Sequence, residues 1–138
     1  MHRYKIVIQY DGAYFKGWQL QKNQKTVQGD IENALMTISG SKSRIIVKGS
    51  GRTDAGVHAL GQVAHFDLDT HLTENQIENA LNFYTDENCK VMQLCKTNDR
   101  FDSRFDAKNR TYKYQIYIGK SILYRNQAWL KNDSIDIK

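Results

Sequence analysis

Residues 49–59 read Gly49-Ser50-Gly51-Arg52-Thr53-Asp54-Ala55-Gly56-Val57-His58-Ala59, and the groups suited to chemistry concentrate there. Three glycines within eight residues let a backbone turn tightly or approach another group closely. A carboxylate on such a loop, with Arg52 two residues away, suits chemistry. A nearby guanidinium favours the ionised acid, and an ionised, positioned aspartate is a nucleophile or a base. The same letters fit an aspartate that caps a turn, and the residues alone leave both readings open. No Gly-x-x-x-x-Gly-Lys phosphate cradle is present, and His58 lacks a partner at His-Glu-x-x-His spacing, so the residues give no support to metal catalysis and no metal is expected.

The elements that must hold this loop are legible as patterns. Tyr4, Ile6, Ile8 and Tyr10 alternate with Lys5, Val7 and Gln9, the period of a strand with one buried face. A long basic loop follows, with Tyr14, Phe15 and Trp18 among Lys16, Lys22 and Lys25, the composition of an RNA-binding loop. Val27, Ile31, Ala34, Leu35 and Ile38 recur at helical spacing, with Thr26 as cap, Asp30 opposing the dipole and Gly40 as stop. Strands are expected at Arg44–Lys48 and Gln62–Leu68. A second helix begins at the Thr73/Gln76 capping box, with a Leu72/Ile77 staple and a core face of Ile77, Ala80, Leu81 and Tyr84. Further strands are expected at Lys90–Lys96 and Thr111–Ile118, the latter with Tyr112, Tyr114, Ile116 and Ile118 on one side. Both helices contain Ile-Glu-Asn-Ala-Leu, five good helix formers on an amphipathic template. The order β-α-β-β-α-β-β predicts an α+β chain with a ferredoxin-like, RRM-like sheet and helices on one face.

Composition sets the outer limits. Twenty basic residues against fifteen acidic ones give +5, which suits a polyanionic partner without proving one. With 40% hydrophobic and 25% charged residues the chain can build a core. No apolar run approaches the roughly 20 residues of a membrane span, and no signal core precedes Tyr4, so a cytoplasmic protein with no membrane partner is expected. Cys89 and Cys95 have neither redox nor zinc spacing and read as reduced thiols; on one strand they would share the parity of Val91. Proline is absent, so turns rely on Gly, Asn and Asp.

Gly51–Ala59 followed by Gly61-Gln62-Val63-Ala64-His65-Phe66 resembles the signature of the TruA-type tRNA pseudouridine synthases. The likeness extends upstream to Tyr10-Asp11-Gly12, Phe15, Gly17-Trp18-Gln19 and Thr26-Val27-Gln28. Downstream it takes in Ser103-Arg104-Phe105-Asp106-Ala107 and Arg110-Thr111-Tyr112-Lys113-Tyr114. Phe83-Tyr84-Thr85 stands where the family usually has Leu-Pro. The resemblance implies a cofactor-free enzyme, acting as a homodimer, that turns uridine into pseudouridine at three consecutive positions where the anticodon stem of tRNA meets its loop. It implies Asp54 as the catalytic aspartate and Tyr112 as the aromatic packed on the target uracil. Arg52, Arg104 and Arg110 are expected to contact substrate, with ion pairs to Asp102 or Asp106 as the alternative for Arg104 and Arg110. Because family members are substantially longer, residues 1–118 are expected to be the N-terminal, catalytic-aspartate half, and 119–138 the start of a connection to a C-terminal half.

Two rival classes frame the expectation. A non-catalytic RNA-binding module would also pair exposed aromatics with a basic loop, but has no need of an acidic residue in a glycine-rich loop facing RNA. A metal-dependent nuclease would want several clustered carboxylates, where the loop offers only Asp54. An inactive fragment of the synthase is the third alternative.

Overall fold

The computed structural model describes residues 1–137; Lys138, the last residue of the expected connection, lies outside the described residues. Contacts divide the chain into two compact units, residues 1–108 and 109–138.

In the first unit the alternation of Tyr4, Ile6, Ile8 and Tyr10 makes β1 (His2–Tyr10) the central strand. It pairs antiparallel with β3 (Ala59–Leu68) on one side and β4 (Cys89–Thr97) on the other, and β2 (Lys48–Gly49) closes the far edge of β3. The spatial order β2-β3-β1-β4 is compatible with a ferredoxin-like half-domain. Helices α1 (Val27–Ser39) and α2 (Glu74–Tyr84) lay Val27, Ile31, Ala34, Leu35, Ile77 and Leu81 into the same core as the β1 face. Each fully buried aliphatic side chain there contributes about 1.5–3 kcal/mol. Thr26 accepts the Gly29 amide, Gly40 ends α1 at φ 65°, and the capping box of Thr73 and Gln76 is complete. Among the described residues no helix is long and apolar enough to cross a membrane.

Three local expectations are corrected. Only Lys48 and Gly49 of the region around Arg44–Lys48 pair as a strand. Val47 instead gives its N–H to Glu32 (2.9 Å) and its carbonyl to the Gln28 amide (2.9 Å), so α1 side chains satisfy the backbone that a sheet partner would otherwise claim. Cys95 is exposed while Cys89 is buried. Between Val7 and Ile8 the pairing skips from Gln93 to Val91, and that bulge reverses the facing of β4, burying Leu94 in place of Cys95. Burial pushes the Cys89 thiol up to about 12, so it stays protonated. Tyr84 is exposed, edge-on to Phe83, because α2 has passed the core by its last residue and Thr85 takes the buried place.

In the second unit β5 spans only Ile116–Ile118 and pairs in parallel with β6 (Trp129–Lys131). Residues 111–115 have no ladder partner among the described residues, so the expected strand shortens to its last three positions.

Candidate active site

The loop from Ser50 to His58 leaves β2 and returns into β3, and its backbone is tied down at each step. Ser50 N–H donates to Val63 O (2.7 Å), and the Gln62 side-chain amide donates to Gly51 O (2.5 Å). Thr53 O accepts from Trp18 N–H (3.0 Å), and Asp54 O from Val57 N–H (3.2 Å). Gly56 N–H reaches Gly12 O (3.1 Å), while Gly12 N–H donates to His58 Nδ1 (3.0 Å), which also lies 2.9 Å from Asp11 Oδ1. Asp54 therefore sits between two hydrogen-bonded peptide groups with its side chain exposed.

The loop from Asp11 to Lys25 forms the facing wall. Val27 and Gln28, at the N-terminus of α1 where amides lack helical partners, donate to Gly17 O (3.2 Å) and Trp18 O (3.0 Å). The Gln28 side chain accepts Leu20 N–H (2.8 Å) and donates to Glu32 and Val47 O. Glu32, buried, holds Arg44 through both carboxylate oxygens, so the network is charge-compensated. Gly17 is held at φ 86°, and a Cβ on it would lie 2.6 Å from Thr53 O, so only glycine lets the walls meet this closely. Between the walls opens a depression of about 500 Å³ lined by Lys16, Gln19, Gln21, Gln24, Arg52, Thr53, Asp54 and Ala55.

Arg52 and Asp54 both line this depression, and among the described residues no direct ion pair joins them. Asp54 is an exposed carboxylate in company with two cationic side chains, Arg52 and Lys16. Arg104 is exposed in a turn whose amides at residues 104 and 105 bond Asp102 Oδ1. Ser103 pins that segment to the sheet, since its N–H donates to His65 Nδ1 (3.1 Å) and its hydroxyl to Lys48 O (2.7 Å). Tyr112 (64% exposed) and Arg110 (exposed) belong to the second unit.

The basic loop differs from its sequence reading. Trp18 and Phe15 are buried, and Lys25 pairs with Asp86 (2.5 Å) over the Phe15 ring, which leaves Tyr14 as the exposed aromatic. The Lys25 ammonium holds the Asp86 carboxyl below its ordinary range, whereas burial pushes Asp30 up. Two residues to which the sequence reading gave no part in the site also shape it: Tyr10, whose hydroxyl meets Thr53 Oγ1 at 2.7 Å, and Gln28. Both lie in the motif segments quoted above, and their signal is polarity at positions the core pattern would make apolar. Among the described residues no group of three His, Cys, Asp or Glu side chains is placed to hold a metal ion.

A family model for tRNA pseudouridine synthase matches residues 6–106. The chain is 46% identical over 140 residues to tRNA pseudouridine synthase A of Ehrlichia ruminantium, covering 99% of this chain and 56% of that protein. It is 48% identical over 118 residues to tRNA pseudouridine synthase A of Bacillus sp. KSM-64, covering 85% and 48% respectively. With the enzyme of that name from Maridesulfovibrio salexigens it shares 42% over 132 residues, covering 94% and 48%. The chain thus spans about half the length of the curated relatives it matches. Since the family match runs from Ile6 in β1, across the Asp54 loop, to Asp106, the chain belongs to the tRNA pseudouridine synthase family.

Proposed function

We propose that this chain carries the catalytic aspartate of an isomerase that converts uridine to pseudouridine in tRNA, with Asp54 as nucleophile and the junction of anticodon stem and loop as target. The reaction breaks the bond from N1 of uracil to the ribose, turns the base and rejoins it through C5; C5 loses a proton and N1 gains one, so composition is unchanged. A carboxylate serves by attacking the sugar carbon, as in retaining glycosidases, or by adding to the pyrimidine ring. The target base must leave its stack to be reached. Tyr112 offers a flat face for it, and such stacking is worth about 1–3 kcal/mol. Arg52, Arg104 and Arg110 are assigned to the RNA, where guanidinium groups suit phosphate oxygens. The complete enzyme is proposed to act in the cytoplasm, as a homodimer and without a cofactor.

The observation that carries this reading is the exposed Asp54 carboxylate, in an open depression with Arg52 and Lys16, on a backbone bonded on both sides. The experiment is incubation of unmodified tRNA with the protein expressed from its own reading frame, followed by chemical mapping of pseudouridine. Conversion confined to the anticodon stem and loop is expected. Tight binding of tRNA with every uridine left intact would favour the RNA-binding module instead.

A further inference from the structure

Asp54 is exposed, so its aim depends on the backbone that carries it. The peptide group before it is fixed by Trp18 N–H on Thr53 O (3.0 Å), and the one after it by Val57 N–H on Asp54 O (3.2 Å). With both planes held, φ and ψ of Asp54 are set, leaving only its short side chain to orient. The first of these planes has a second anchor. Thr53 Oγ1 lies 2.7 Å from the hydroxyl of Tyr10, a residue 3% exposed at the end of the central strand. Burial pushes the Tyr10 phenol above its ordinary range, so it retains its proton, and without Thr53 it would be a buried hydroxyl deprived of this partner. Thr53 is therefore gripped through its side chain by β1 and through its carbonyl by the facing wall, one residue before the carboxylate.

We propose that Thr53, paired with Tyr10, is a positioning residue for Asp54, setting the direction in which the carboxylate meets the target nucleoside; this rests on the functional reading above. Thr53 acts through the Thr53–Asp54 peptide and touches no reacting atom. A hydroxyl is required at position 53, and its methyl group is dispensable.

The test compares wild type, Thr53→Val, Thr53→Ser and Tyr10→Phe in the protein expressed from its own reading frame. Three quantities are read: single-turnover conversion at saturating tRNA, tRNA affinity, and hydrogen exchange at the Trp18 and Val57 amides. A displacement of about 1 Å can cost on the order of 100-fold in rate, so Thr53→Val and Tyr10→Phe are expected to slow conversion by about 10- to 100-fold. Affinity is expected to hold, exchange at both amides to quicken, and Thr53→Ser to restore rate and protection. A Thr53→Val protein with wild-type rate, or with wild-type amide exchange, overturns the inference. So does a parallel loss of rate and affinity, or failure of the serine variant to rescue, since either marks a merely structural residue. If wild type converts no uridine while Thr53→Val still quickens exchange, the functional reading has failed and the hydroxyl pair serves the fold alone.

Discussion

Gly12→Ala puts the coupling between the two walls under direct strain. A Cβ at position 12 would lie 2.0 Å from Val57 O and 2.3 Å from Val57 C, where ordinary contact begins at 3.4 Å. The obstacle is backbone, so it cannot swing aside as a side chain would; the Val57 carbonyl must withdraw by about 1.4 Å. That movement stretches two bonds, Gly56 N–H to Gly12 O (3.1 Å) and Gly12 N–H to His58 Nδ1 (3.0 Å). Overpacking costs about 1–3 kcal/mol and each of the two lost bonds about 0.5–1.5 kcal/mol, so the substitution should destabilise by about 2–6 kcal/mol. For a unit of roughly 100 residues this lowers the melting temperature by at least about 8 °C. Because Val57 N–H also holds Asp54 O, conversion by the folded protein should fall by about 100-fold. Gly61→Ala is the control, since its Cβ meets only Val7 Cγ1 at an ordinary 3.6 Å. Thermal unfolding and single-turnover conversion check both variants. A Gly12→Ala protein that melts with wild type and converts at its rate would show that the close approach carries no strain.

Burial holds the His65 imidazole below its ordinary range, so the folded chain keeps it neutral while the unfolded chain takes up a proton near pH 6.5. Stability should be full above about pH 6.5 and decline as pH falls below it, and His65→Asn, which can still accept Ser103 N–H, should flatten that decline in urea unfolding between about pH 5 and 7. The Arg3 guanidinium lowers Asp67 from 3.8, so that pair's contribution is present above about pH 4 and is lost only as pH falls further, outside the His65 window. Tyr112→Phe should retain most of the substrate binding, whereas Tyr112→Leu should weaken it by about 1–3 kcal/mol; equal affinity in a tRNA titration would remove the stacking role.

Local pattern carried the sequence reading as far as backbone groups are satisfied by near neighbours. Thr26, Gly40 and the Thr73/Gln76 box sit within a few residues of the amides and carbonyls they serve, and each has its expected role. The shared Ile-Glu-Asn-Ala-Leu shows where that logic ends. Ile31 and Ile77 are both fully buried, as are Leu35 and Leu81, yet Glu32 is the buried anchor of Gln28, Arg44 and Val47 while Glu78 is only partly covered. Nothing within the five residues distinguishes the two glutamates. The difference comes from a segment 12 to 15 positions away, and it also dissolved the expected strand at Arg44. The parity expected of Cys95 with Val91 broke for a related reason, since a bulge is fixed by pairing with β1 and leaves no mark in the β4 alternation. Asp54 and Arg52, which both line the depression, could be singled out because glycine spacing and family motif converge on them. The inward turn of Trp18 and the Tyr10–Thr53 contact could not, because they join residues 35 to 43 positions apart.

Asp54 is proposed above as the group that attacks the target nucleoside. Asp54→Asn keeps the size of the side chain and removes its charge and nucleophilicity. The decisive measurement is chemical mapping of pseudouridine in unmodified tRNA after prolonged incubation with purified Asp54→Asn protein, beside wild type and with tRNA affinity measured in parallel. Wild type is expected to convert tRNA site-specifically, and Asp54→Asn to form no pseudouridine although it binds tRNA as wild type does. Pseudouridine formed at the same sites by the Asp54→Asn protein would contradict it.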